Sequence, residues 1–173
     1  LECTAAPCIA IVGTRHPTIY GRGAAQRFGY GLGSAGYTIV SGLAEGIDTE
    51  AHLGALRAKA KTIAIIGSAL DCLYPKSNVR LARDIVTSGG AVISEYPFGR
   101  QPDMQTFPMR NRIVSGMCRG VLAVEAPLKS GTLITVAQAV EQGRTVMAIP
   151  GPIESPASQG TNNLLREGTT LVT

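Results

Sequence analysis

The chain has 173 residues, 45% of them hydrophobic, which is enough apolar material for the core of one domain and excludes a disordered chain. No apolar run reaches the roughly 18 to 20 residues that a membrane helix needs, and no charged n-region precedes an apolar h-region, so a soluble, unexported, cytoplasmic protein is expected. The net charge of +4 is too small to demand a polyanion, yet 12 of the 16 basic residues are Arg, the side chain that grips phosphate bidentately and stacks on bases.

Residues 1–7 read as a linker remnant, and residues 8–173 as a single domain cut from a longer chain. Apolar runs at 8–12, 37–40, 62–66, 91–93, 121–124 and 145–149 have the length and continuity of buried strands. Helical periodicity lies between them, near 20–35, 46–59, 78–88, 107–117 and 131–142. This alternation predicts an α/β fold: a doubly wound, mostly parallel sheet with helices on both faces and right-handed crossovers. In such sheets ligands bind beyond the carboxyl ends of the strands, at a switch point in strand order.

The residues after each strand form a polar set. Gly13-Thr14-Arg15 follows the first, and Ser41-Gly42-Leu43-Ala44-Glu45-Gly46-Ile47-Asp48 the second. Gly67 and then Tyr74-Pro75-Lys76-Ser77-Asn78 follow the third. After the fourth come Glu95 and Phe107-Pro108-Met109-Arg110-Asn111-Arg112. The fifth leads into Glu125 and Lys129-Ser130-Gly131-Thr132, where a Gly-containing loop opens a helix, and the sixth into Pro150-Gly151. Any one βα turn needs glycine for its own sake, but six polar turns at one sheet edge point to a ligand. An aromatic beside guanidinium groups, opposite a helix N-terminus, is chemistry for stacking a base and holding phosphates. The candidate site is therefore Gly13, Thr14, Arg15, Gly42, Lys76, Phe107, Arg110, Asn111, Arg112, Ser130, Gly131 and Thr132. Arg15, Lys76, Arg110 and Arg112 would supply roughly three to five phosphate contacts and a log-affinity slope in log salt of about −2 to −4. Pairing with Glu45, Glu95 or Glu125 is the alternative role for Arg112.

Other signals point elsewhere. Gly31-Leu32-Gly33-Ser34-Ala35-Gly36 spells a dinucleotide fingerprint but ends a helix, so it reads as a C-terminal cap and turn. No G-x-x-x-x-G-K-[ST] is present, so ATP hydrolysis is not expected. Asp48 reads as a helix N-cap, with a same-face pairing to His52 permitted by spacing. A Ser/His/Asp triad assembled from Ser41 or Ser130 with His52 lacks the G-x-S-x-G elbow. Cys3, Cys8, Cys72 and Cys118 contain no C-x-x-C and lie away from His16 and His52, which argues against zinc. Cys8 and Cys118 read as small buried hydrophobes. Among the aromatics, Phe28 reads as core, Phe98 is ambiguous, and Phe107 either stacks a base or forms a hydrophobic staple along its helix.

The motifs Gly13-Thr14-Arg15, Ser41 to Asp48, Tyr74 to Asn78, Phe107 to Arg112, Ser130-Gly131-Thr132, and Pro150-Gly151 with Gly160-Thr161-Asn162 resemble those of the DNA-processing protein A (DprA/Smf) family, over residues 8–170. The resemblance implies an extended Rossmann-like domain that is not an enzyme and uses no cofactor. It implies binding of single-stranded DNA, a homodimer built from the C-terminal third, and loading of RecA recombinase onto incoming DNA in natural transformation. Family members commonly have Ser at Thr14, so the hydroxyl is kept. Leu164 and Leu165, in a short amphipathic turn, are candidates for core or for the dimer face. The rival reading is a nucleotide phosphoribohydrolase of the LOG or lysine-decarboxylase-like kind, whose loop P-G-G-x-G-T-x-x-E carries a catalytic Glu. Thr135 stands at that place here.

Overall fold

The computed structural model describes residues 5–173; Cys3 and the first four residues of the expected linker lie outside the described residues. Strand β1 (Cys8–Val12) is followed by α1 (Ile19–Ser34), β2 (Thr38–Ser41), α2 (Ile47–Arg57), β3 (Thr62–Ile65), α3 (Val79–Thr87), β4 (Ala91–Ile93), α4 (Thr106–Gly116), β5 (Gly120–Ala123), α5 (Gly131–Glu141), β6 (Thr145–Ala148), α6 (Gln159–Arg166) and β7 (Thr170–Leu171). The strands form one sheet in the order β4-β3-β2-β1-β5-β6-β7. Every pairing is parallel. The expected alternation is thus realised as a doubly wound Rossmann-like sheet.

The side-chain period of a strand sorts the core onto two faces. Ala10, Val12, Val40, Ile63 and Ile65 pack with Val114 and Cys118 of the α4 region and with Ala139 of α5. Ile11, Ile39, Leu122 and Val124 point the other way, against Ala24 and Ala25 of α1 and Ala51 and Ala55 of α2. β1, β2, β3 and β5 are buried along their whole length, which is why their runs are apolar without alternation. Helices α1 and α2 touch backbone to backbone: a Cβ on Gly29 would stand 2.5 Å from the Ala51 carbonyl oxygen, and one on Gly54 2.4 Å from that of Gln26.

Cys8 and Cys118 are buried as expected, and burial pushes the Cys118 thiol up. Phe28 is partly buried against the α1/α2 core, and Phe98 is largely exposed. Two elements escape the sequence pattern. β7 is only two residues long, below any detectable period, and α6 appears in sequence as no more than an amphipathic turn. The Gly31–Gly36 stretch ends α1, with Gly36 at φ +88°. No described helix is long and apolar enough to cross a membrane.

Candidate nucleic-acid interface

The strand order changes direction between the parallel strands β1 and β5, and the polar turns meet over their carboxyl ends. The turn after β1 is held on three sides. Thr14 N donates to the Glu125 carbonyl at 2.8 Å, and Ile47 N donates to the Thr14 carbonyl at 3.2 Å. Gly13 lies so close to Ile47 that a Cβ would approach its Cγ1 to 2.5 Å. Gly46, at φ +81°, passes under the Thr14 carbonyl where a side chain has no room. Buried Glu125 completes the clasp: its carboxylate accepts from Thr18 N at 2.9 Å and from Thr18 Oγ1 at 2.6 Å, fixing the start of α1. Arg15 and His16 at the tip are exposed.

The loop after β2 is organised by Asp48. Its Oδ2 accepts from Gly42 N at 3.0 Å and Ala44 N at 3.3 Å. The expected N-cap role is corrected here, because Gly46 holds the cap position and Asp48 lies inside α2, reaching back to brace the preceding loop. Burial raises the Asp48 pKa against the opposing pull of Arg110.

Arg110, expected as a phosphate ligand, lines the cleft but has its guanidinium engaged with backbone. It is 4% exposed, and its Nη1 donates to the carbonyls of Gly42 (2.6 Å) and Ile65. A side chain at Gly42 would collide with this guanidinium and with Asp48 Oδ2. Burial lowers the Arg110 pKa to about 10, so it stays charged at neutral pH and ties the β2 loop to the end of β3. Arg112 pairs with Glu95, the alternative weighed for it, and its side chain does not line the cleft. Lys76 is exposed beside Pro75, outside the cleft lining.

Helix α4 begins one residue earlier than expected and includes Phe107 despite Pro108, because Asp103 Oδ1 accepts from Gln105 N at 2.8 Å and Thr106 N at 2.9 Å and so caps its first turn. The Phe107 ring packs against other loops. The Tyr74 ring centroid is 5.8 Å away, Gly67 is pressed against the ring, and the Arg15 guanidinium carbon stands over it at 5.0 Å. Its packing is therefore tertiary and not a staple along α4.

Across the gap, Ser130 caps α5, its Oγ accepting from Thr132 N at 3.2 Å, and a Cβ on Gly131 would meet only open space. Gly13, Thr14, Arg15, Gly42, Phe107, Arg110, Asn111, Ser130, Gly131 and Thr132 are thereby brought together around one open cleft of about 520 Å³. His16, Met104, Pro127 and Lys129 share its lining, and a recess holding Tyr74 and Glu45 adjoins it. His16 and Met104 carry no spacing signal, whereas Tyr74, Glu45 and Lys129 sit in the turns that follow β3, β2 and β5 and were legible by that rule.

His52 is fully buried and does not pair with Asp48. Thr62 Oγ1 donates to the Ile39 carbonyl at 2.7 Å, so it must accept from His52 Nδ1–H, 2.7 Å away, which fixes the neutral tautomer. Burial, helped by the charge of Arg110, lowers the His52 pKa to about 3. The folded state therefore binds fewer protons than the unfolded one between about pH 6.5 and 3, and stability falls as the pH drops through that window, by at most ~1.4 kcal/mol per pH unit. Urea melts of wild type and His52→Asn across this range should show that slope only in wild type.

With this geometry in place, similarity to known proteins is informative. A family model described as DNA recombination-mediator protein A matches residues 1–173. This chain belongs to the DprA/Smf family. It is 48% identical over 167 residues to DNA processing protein DprA of Streptococcus pneumoniae, covering 96% of this chain and 58% of that protein. It is 46% identical over 165 residues to protein Smf of Escherichia coli, covering 95% and 44%. A solved structure of the Helicobacter pylori DprA, described for its single-stranded DNA binding mode, superposes with a TM-score of 0.89 at 31% identity, covering 98% of this chain and 77% of that one. The chain spans about half the length of the curated relatives it matches. The Streptococcus pneumoniae relative is described as a DNA processing protein.

Proposed function

We propose that the cleft between the ends of β1 and β5 binds single-stranded DNA, and that the full protein works in the cytoplasm as a homodimer that loads RecA recombinase onto DNA taken up in natural transformation. The observation that carries the binding reading is the stack of Arg15 on Phe107 beside the open N-terminus of α5. It pairs an aromatic platform with donors for phosphate, and duplex DNA, whose base faces are covered, cannot use the platform. Membership of a recombination-mediator family supports the RecA step. Gel shifts at two salt concentrations test the binding reading: single strands should bind more tightly than duplex of equal length, and equal binding would refute it. The phosphoribohydrolase alternative is disfavoured because Thr135, buried at the cleft floor, offers no carboxylate where that chemistry needs one. Incubation with nucleoside monophosphates should release no free base.

Phe107→Ala should cost about 1 to 3 kcal/mol of single-strand binding to oligo-dT, with little change in salt slope. Fluorescence anisotropy on a variant of normal melting temperature checks it; unchanged affinity would remove Phe107 from the site.

For the dimer, the C-terminal third carries Ile153 (82% exposed) and Leu171 on the exposed edge strand β7, while Leu164 and Leu165 are half-buried. Light scattering at concentrations on the order of tens of micromolar should return twice the chain mass. A monomer mass would count against self-association through this region.

A further inference from the structure

The recess next to the cleft contains one group that does not fit a phosphate site. Glu45 is exposed and lines the same recess as Arg15, Tyr74 and Phe107. Its Oε1 accepts from Ser77 Oγ at 2.7 Å, which orients the carboxylate, and its Oε2 accepts no hydrogen bond among the described residues. Lys76, one residue from Ser77, forms no ion pair with it within 4.0 Å. A free carboxylate repels phosphate and accepts hydrogen bonds without donating any. It therefore divides the cleft: phosphates belong on the side of Lys129 and the α5 N-terminus, and bases on the side of the two aromatic rings.

We infer that Glu45 reads the Watson–Crick edge of the base stacked at Phe107 and selects bases that present amino or ring N–H donors, guanine above all. This rests on the single-strand reading above. Guanine offers adjacent N1–H and N2–H donors that match the two oxygens of a carboxylate. Adenine and cytosine offer one amino group each beside a ring-nitrogen acceptor. Thymine flanks its single N3–H with two carbonyl oxygens, which a carboxylate repels. Edge reading of unpaired bases is the usual route to sequence preference on single strands, and a carboxylate is the natural partner of an amino donor.

The test measures binding of the full chain to equal-length oligonucleotides, alternating dT-dG, alternating dT-deoxyinosine, and all-dT, in lithium salt, which disfavours guanine quadruplexes. Wild type should prefer dT-dG to all-dT by on the order of tenfold. The inosine strand, which keeps N1–H but lacks the 2-amino group, should fall between them. Glu45→Ala should bring the three affinities together, weakening dT-dG and strengthening all-dT, and Ser77→Ala should narrow the preference while leaving all-dT binding unchanged. If Glu45→Ala strengthens all three strands by one factor, the carboxylate acts only by charge and the inference is overturned. Equal wild-type affinity for the three strands overturns it too, while leaving single-strand binding intact. Failure to bind any of them overturns both.

Discussion

A protein carrying Arg15→Glu should lose single-strand binding by roughly ten- to a hundredfold at moderate salt while melting within a degree or two of wild type. Arg15 is exposed at the tip of the β1 turn, and its one described contact is the stack on Phe107, worth about 0.5 to 1 kcal/mol at an exposed site. Charge reversal there opposes phosphate without unpacking anything. The salt dependence should be shallow. Arg110 is committed to two carbonyls and Arg112 to Glu95, so two or three cations are left for phosphate, giving a slope of about −1.5 to −2 in place of the steeper one suggested by charge counting. Anisotropy titrations of a dT oligomer at several salt concentrations measure both quantities. Wild-type binding by Arg15→Glu would displace the site from this cleft.

Arg110→Met should do the reverse, lowering stability by about 3 to 5 kcal/mol before any effect on DNA is felt. It would strip a donor from the buried carbonyls of Gly42 and Ile65 and leave Asp48 without the cation that favours its charged form. The sign with pH follows from Asp48. Its folded pKa is raised above the ordinary carboxylate value, so the native state binds the extra proton, and stability falls as the pH rises from below about 3.8 through that raised pKa. Removing Arg110 lifts the Asp48 pKa further and extends the window upward. The variant should therefore recover part of its loss on acidification, and adding Asp48→Asn should abolish that recovery. Urea melts at several pH values measure it. A stable Arg110→Met protein with weakened DNA binding would return Arg110 to the set of direct ligands.

The contrast between these two arginines marks how far the sequence is legible. Strand ends were readable because buried parallel strands are continuously apolar, and the rule that ligands sit beyond their carboxyl ends led to Thr14, Arg15, Phe107 and Ser130 in one cleft. What spacing does not carry is the direction of a side chain. Arg110 and Arg112 are two positions apart on α4, so about 200° of helical rotation separates them, and one points into the sheet end while the other meets Glu95. Asp48 was misread for a similar reason: an acidic residue in a first helical turn looks like a cap, and only the path of the Gly42–Gly46 loop shows where its carboxylate points. β7 was invisible because two residues have no period.

The position of β1 in the sheet bears on the life of the chain as it is made. β1 pairs on one side with β2, Cys8 opposite Thr38, and on the other with β5, Ile9 opposite Gly120. Three consecutive strands, β2 to β4, can therefore assemble on one side of β1 while the rest is still unsynthesised, and the nascent chain then presents the other edge of β1 as an unsatisfied row of backbone donors and acceptors. β5 covers that edge, and the same event brings Glu125 to the β1 turn and the α5 N-terminus to Arg15. A chain interrupted before residue 120 keeps half a sheet, no cleft, and an edge that the β5 of another copy can fill. Strand exchange between copies is thus the misassembly this topology invites, and its seam is the cleft over the ends of β1 and β5.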